Sequence, residues 1–129
     1  NCLSWTRDGA LLASGGEDLV ACVWAVSGDA ARAELLHVIA GHDGVVNTLA
    51  WRPDDSNVLA TGAQDGVVRL WQVDDVDEEV PAALVGQVVA HAGGVLRVAW
   101  SPDEQGLLAT GGEDGLANVW QVAATGTAL

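Results

Sequence analysis

"ATGAQDGVVRLWQV" at residues 60–73 returns forty-nine residues later as "ATGGEDGLANVWQV" at 109–122, and an earlier form, "ASGGEDLVACVWAV", stands at 13–26. In each copy a Ser or Thr is followed four residues on by Asp, and six residues after that by Trp. A recurrence of 47 to 49 residues takes precedence over any local reading of helix or strand, because it defines the structural unit. It holds in four registers: Trp5, Trp51 and Trp100; Asp18, Asp65 and Asp114; Trp24, Trp71 and Trp120; and His42 with His91, whose first member would precede Asn1. All six Trp fall in these series and there is no Phe or Tyr, so every aromatic ring is a repeat feature.

Within a unit the segments predict strands. "VVNTLAW" (45–51) and "VLRVAW" (95–100) are short and rich in apolar or branched residues, and "RPDDSN" and "SPDEQG" close them with turn-forming residues. "VLATG" and "LLATG" follow, then a turn with Gln-Asp-Gly or Glu-Asp-Gly, then "VVRLW" or "LANVW"; Asp-Gly between apolar runs signals a hairpin. A fourth strand is expected at 34–40 and at 83–90, and no segment has helical spacing. Strands this continuously apolar need cover on both faces. Four-strand antiparallel meanders stacked face to face around an axis provide it.

Composition limits the partners. The chain has 129 residues, enough for one modest domain, and half of them are apolar. Eighteen acidic side chains against five Arg and no Lys give a formal charge of −13, which repels nucleic acid and anionic membranes and favours basic protein surfaces. Cys2 and Cys22 lack zinc or redox spacing and read as small buried hydrophobes. No apolar stretch is long enough to span a bilayer, and no targeting pattern is present, so a reducing cytoplasmic or nuclear compartment is expected. The repeat is already in phase at Asn1, which suggests a piece of a longer protein.

The Gly-His pair at 41–42, the Leu-Ala-Ser/Thr-Gly-x-x-Asp segments, the Trp six residues beyond each Asp and the His-to-Asp spacing of 23 together resemble the WD-repeat (WD40) β-propeller family over essentially the whole chain. The namesake Trp-Asp dipeptide is absent: Ala25, Gln72 and Gln121 follow the three Trp. The resemblance implies an all-β fold, a propeller segment of three four-stranded antiparallel blades belonging to a larger ring of about seven. Blade one would span 1–40 and be N-terminally truncated, blade two 41–90, and blade three 91–129 with an outer strand open to being incomplete. It further implies a buried structural tetrad in each blade: His42, Thr61, Asp65 and Trp71; His91, Thr110, Asp114 and Trp120; and in blade one Ser14, Asp18 and Trp24. On the family's usual interaction face it places Glu17, Gln64 and Glu113, with Val45, Asn47, Gly94 and Leu96, as candidate partner-binding residues.

The residue types explain themselves chemically. A buried indole N–H needs an acceptor, a hydroxyl accepts and donates at once, and imidazole relays to a carboxylate that also takes backbone N–H groups of the turn. Reading Thr61, His42 and Asp65 as nucleophile, base and orienting acid fits worse, because a catalytic set needs one copy in a cleft and no accompanying Trp. The run Asp74, Asp75, Asp77, Glu78 and Glu79 lacks the ligand alternation and Gly of a calcium loop, and "GGEDG" lacks the order of a calcium-binding nonapeptide, so neither a metal nor a cofactor is expected. Arg69 and Arg97 replace Cys22, Asn118 and Thr48 of other repeats, which predicts partly exposed positions; His37 is expected on an edge strand. The function expected is a non-catalytic scaffold that binds other proteins, with further blades supplied by the same longer chain or by another copy. The alternatives are a targeting module for an enzyme domain elsewhere, a ubiquitin-ligase substrate receptor, and a cytoskeletal or trafficking subunit.

Overall fold

The computed structural model describes residues 2–6, 9–27, 32–53, 57–73, 83–102 and 106–122, among which every regular element is a strand. Strands β1 (Cys2–Trp5), β2 (Leu11–Gly15), β3 (Ala21–Ser27) and β4 (Arg32–Ile39) form one antiparallel sheet in chain order. Strands β5 (Val46–Trp51), β6 (Val58–Ala63), β7 (Val67–Gln72) and β8 (Ala83–Val89) form a second. A third contains β9 (Val95–Trp100), β10 (Leu107–Gly112) and β11 (Ala117–Gln121). The fourth strand expected there falls within 123–129, outside the described residues, as does the acidic run at 74–79. The chain is therefore an all-β propeller segment, with each sheet an antiparallel meander in chain order.

Packing between blades pairs large side chains with small ones. The face of blade two turned toward blade one carries Leu49, Trp51, Leu59, Trp71 and Val73, and these join Leu11, Ala13, Ala21 and Val23 in one core cluster. Its opposite face offers Val58, Ala60, Val68 and Leu70 to Val98, Leu108 and Val122 of blade three, with Trp100 and Trp120 packed alongside. Strand β6 is buried along its whole length because it is covered on both sides, as its unbroken apolar run requires. Burying each large aliphatic side chain this way contributes about 1.5–3 kcal/mol. The outward faces of the flanking blades stay open: Leu3 is 70% exposed, Trp5 54% and Val119 69%.

Polar bonds set the blade spacing. Trp51 Nε1 donates to the Ser4 carbonyl at 3.1 Å and Trp100 Nε1 to the Ala50 carbonyl at 3.0 Å, each joining one innermost strand to the preceding one. The Arg52 guanidinium covers the Trp100 ring at 5.5 Å. A Cβ on Gly15 or Gly62 would lie 2.6 Å from the Cγ1 of Val46 or Val95, so these glycines permit the close approach of neighbouring blades. The matching Gly111, on the uncovered side of blade three, has nothing within 4 Å.

The turn after each tetrad Asp position requires a left-handed residue. Gly66 and Gly115 supply it with φ of 82° and 80°, but blade one has Leu19 at φ 68°. A side chain in that conformation costs about 1–2 kcal/mol, partly offset in a comparison with Gly by the lower chain entropy of Leu when unfolded. Since Leu19 is 42% exposed, little burial would be lost on its removal. Leu19→Gly is expected to stabilise the chain by about 0.5–1 kcal/mol, raising the melting temperature by roughly 2–6 °C, as read by circular dichroism.

Candidate functional site

Blade three assembles its four expected residues into one hydrogen-bonded chain. Trp120 on β11 donates from Nε1 to Thr110 Oγ1 on β10 at 3.1 Å, and Thr110 Oγ1 lies 2.9 Å from His91 Nε2. His91 Nδ1 lies 3.0 Å from Asp114 Oδ1 in the β10–β11 turn. The Asp114 carboxylate only accepts, so Nδ1–H donates to it, and in that tautomer Nε2 accepts the Thr110 hydroxyl proton while the hydroxyl oxygen accepts from the indole. Asp114 also accepts from the Leu116 N–H at 3.0 Å and the Ala92 N–H at 3.2 Å. The Leu116 N–H does most to hold the Asp114 carboxyl below the ordinary carboxylate range; burial opposes the shift, and Ala92 and His91 reinforce it.

Blade two begins the same way and then departs. Trp71 Nε1 donates to Thr61 Oγ1 at 3.0 Å, and His42 Nε2 is 2.8 Å from the same oxygen. Asp65, however, accepts from Arg69 Nη2 at 2.9 Å, from the Val67 N–H at 3.1 Å and from the Asp43 N–H at 3.3 Å. His42 Nδ1 and Arg69 Nη1 are buried without a partner at hydrogen-bonding geometry. The expected His42–Asp65 link is thus replaced by an Arg69–Asp65 ion pair. This also corrects the expectation that Arg69 and Thr48 are partly exposed: they are 5% and 4% exposed, while Arg97 lies in the open. Arg69 is tolerated inside because the carboxylate one turn away neutralises it. Burial opposes ionisation of Asp65, but Arg69 and the Val67 N–H outweigh it and hold the carboxyl below its ordinary range. Burial, followed by the Arg69 charge, pushes His42 below its ordinary value of 6.5, against a weaker pull from Asp65.

Blade one retains the first bond only: Trp24 Nε1 donates to Ser14 Oγ at 3.1 Å, and Asp18 is exposed in its turn. A cavity of about 400 Å³ lined by Ser14, Gly16, Asp18 and Cys22, among others, opens where the other blades place an imidazole. Burial raises the thiols of Cys22 and Cys2, and both are unpaired in any disulfide. His37 lies on the edge strand β4 and is buried.

The candidate partner-binding residues divide into two groups. Asn47 Nδ2 donates to Gln64 Oε1 at 2.9 Å and to the Val95 carbonyl at 3.0 Å, and Gln64 Nε2 donates to Glu113 Oε1 at 2.6 Å. These three side chains form a polar bridge from blade two to blade three. Gly94 is buried beneath it, since a Cβ there would meet the Gln64 amide at 2.6 Å. Glu17 and Leu96 remain exposed, and Val45 is half-buried. The bridge escaped the sequence reading, although Gln64 and Glu113 stand one repeat apart.

A His whose folded pKa is depressed takes up its proton more readily when unfolded, so the stability it contributes is present above 6.5 and declines as pH falls below that value. Denaturant titrations are expected to show stability decreasing from pH 7 to pH 5, ahead of the further decrease that accompanies protonation of Asp65 and Asp114. Replacing Arg69→Asn, after Asn118 at the matching position, removes the charge that Asp65 now serves. The His42 pKa measured by NMR is expected to rise and the decrease between pH 7 and 5 to shrink; an unchanged His42 titration would count against this account.

The family model described as "WD domain, G-beta repeat" matches residues 1–25, 33–72 and 83–121. The chain is 39% identical over 75 residues to the WD repeat-containing protein 26 homolog of Arabidopsis thaliana, covering 58% of this chain and 12% of that protein. It is 38% identical over 71 residues to the anaphase-promoting complex subunit cdc20 of Dictyostelium discoideum, covering 54% and 14%. It is 34% identical over 88 residues to the probable cytosolic iron-sulfur protein assembly protein 1 of Cryptococcus neoformans, covering 56% and 20%. The chain therefore spans no more than a fifth of the length of these relatives. With three family matches covering most of its length, the second and third of which each join the last strand of one sheet to the first three of the next, it belongs to the WD40 repeat family.

Proposed function

We propose that this chain is a non-catalytic protein-interaction scaffold, an arc of a WD-repeat ring acting as a module of a multiprotein complex in the cytoplasm or nucleus. The units are blades 1–40, 41–90 and 91–129, and further blades cover the two open faces. The observation that carries this reading is the enclosure of the two threonine hydroxyls. Thr61 and Thr110 are 0% and 2% exposed, and each hydroxyl is already held between an indole and an imidazole. A nucleophile needs access to a substrate carbonyl and an adjacent oxyanion site. Here the chemistry holds strands in register instead, and of Ser14, Asp18 and Trp24 in blade one only the Trp24–Ser14 pair is joined.

Partners are proteins with basic surfaces, as the formal charge of −13 and the exposed Glu17, Asp18 and Asp43 favour. The name of the Dictyostelium relative assigns it to a multisubunit complex, and that of the Cryptococcus relative to the cytosol, which supports this role and compartment. On this reading Glu17 and Leu96 face the partner, while Asn47, Gln64 and Glu113 set the spacing of the blades beneath it.

Two variants separate scaffold from enzyme. Thr61→Val leaves the Trp71 indole and the His42 Nε2 without their shared partner and is expected to cost about 1–3 kcal/mol, visible as a lower melting temperature. Glu17→Lys is expected to leave the melting temperature unchanged and to weaken retention of partner proteins by the full-length protein, more so at low salt. A folded Thr61→Val protein that loses a turnover shown by the parent would sink the scaffold reading.

A further inference from the structure

Blades two and three give the same turn carboxylate the same two backbone donors and then a different third partner. Asp114 accepts the Leu116 and Ala92 N–H groups and lies 3.0 Å from His91 Nδ1. Asp65 accepts the matching Val67 and Asp43 N–H groups, but its third donor is Arg69 Nη2 at 2.9 Å. The guanidinium has taken the donor site of an imidazole. Three observations keep the displaced pairing within reach. His42 Nδ1 and Arg69 Nη1 are both buried without a hydrogen-bond partner, in residues that are each 5% exposed. Arg69 Nη2 also lies 3.9 Å from a second carboxylate, Asp43, whose side chain is 89% exposed. Thr61 Oγ1 donates to the Arg69 carbonyl at 3.5 Å, which leaves its lone pairs to accept from both the Trp71 indole and His42 Nε2–H.

In that arrangement neutral His42 carries its proton on Nε2 and leaves Nδ1 bare, the reverse of His91, whose Nδ1–H donates to Asp114. A bare lone pair suits the positive charge of Arg69, whereas an Nδ1–H would be one more buried donor without an acceptor. We infer that Asp65 is a two-position switch: it holds Arg69 while His42 is neutral, and on protonation of His42 it accepts the new Nδ1–H in the geometry of blade three while Arg69 turns outward to Asp43. One proton from solvent adds to Nδ1; Nε2–H stays on Thr61, and Asp65 stays ionised. Two buried cations share one carboxylate only at high cost, and Arg69 is the one with an exposed carboxylate close by. The titratable and charged groups facing the ring are Asp65 and Arg69 from the β6–β7 hairpin and Asp43 from its own loop. The blade-one turn beside it brings the Leu19 carbonyl, with Glu17 and Asp18 exposed in the same turn. Trp71, 5.5 Å away between ring centroids, is uncharged. All of these groups lie inside the chain, at the junction of blades one and two, and the exchange is independent of what the outer face binds. Its output is a cation moved from the blade interior to the acidic turns.

Histidine-selective 15N labelling of the full-length protein reads which ring nitrogen carries the proton, with His42→Gln identifying the His42 signals. At about pH 8 neutral His42 is expected to be protonated on Nε2 and His91 on Nδ1. Arg69→Asn, which places the residue type of Asn118 at 69, leaves Asp65 to the imidazole and is expected to move the His42 proton to Nδ1 at that pH. A general loss of stability would not reverse a tautomer. Parent crystals transferred from about pH 8 to about pH 5 are expected to show His42 Nδ1 at about 3 Å from Asp65 and Arg69 beside Asp43. A parent His42 with its proton on Nδ1 at the higher pH, an Arg69→Asn ring that keeps Nε2–H, or an Arg69 that holds Asp65 after His42 is protonated would each overturn the proposal. Where acid unfolds the parent before His42 titrates, the tautomers of parent and variant at the higher pH decide alone.

Discussion

The bond from an indole N–H, buried in blade two and half-buried in blades one and three, to a Ser or Thr hydroxyl is the constraint common to all three blades. It runs from Trp24 to Ser14, Trp71 to Thr61 and Trp120 to Thr110 at 3.0 to 3.1 Å. The indole is too large to leave in water and too polar at one atom to bury unpaired, so the neighbouring strand must offer an acceptor at that height. Beyond this bond the cluster varies. Blade three extends it through His91 to Asp114, blade two stops at His42 and diverts Asp65 to Arg69, and blade one ends at Ser14. The constant element positions the strands, and the variable remainder adjusts the turn and the charge beside it.

A second asymmetry runs across the blades. Bulky residues, with two Trp among them, line one face of each sheet, while smaller ones line the other, so a wedge-shaped stack follows from side-chain volume. Trp51 and Trp100 on their innermost strands then secure the stack, each by donating to a carbonyl of the blade before it. Consecutive blades use nearly the same pairing, so the two junctions within the chain repeat one packing. Charge does not disturb this arrangement: among the described residues Glu17, Asp18, Asp43, Glu113 and Asp114 lie in turns and loops, and the buried Arg69 is matched by Asp65.

Much of the architecture was legible because it repeats. Strand positions, the Trp–hydroxyl pairs and the turn Asp recur at a fixed spacing, and a residue type that recurs in register reports a shared environment. What did not repeat was misread. Arg69 has Cys22 and Asn118 at the matching positions, so its side chain looked like a surface variant, whereas Asp65 draws it inward. The bridge through Asn47, Gln64 and Glu113 was hidden for a different reason: Gln64 and Glu113 are ordinary exposed turn residues within their own repeats, and the bond that joins them exists only between repeats.

The sequence alone determined the strand order, the hairpins and the identity of the indole–hydroxyl partners, since these depend on hydrogen bonds and apolar alternation between segments close along the chain. Only the tertiary structure decided which carboxylate meets which cation, which of the outward residues are engaged, and which faces remain open. The Asp65–Arg69 pair depends on a side chain folding back over its own turn, and the Gln64–Glu113 bond on the close approach of neighbouring blades, and residue type alone encodes neither.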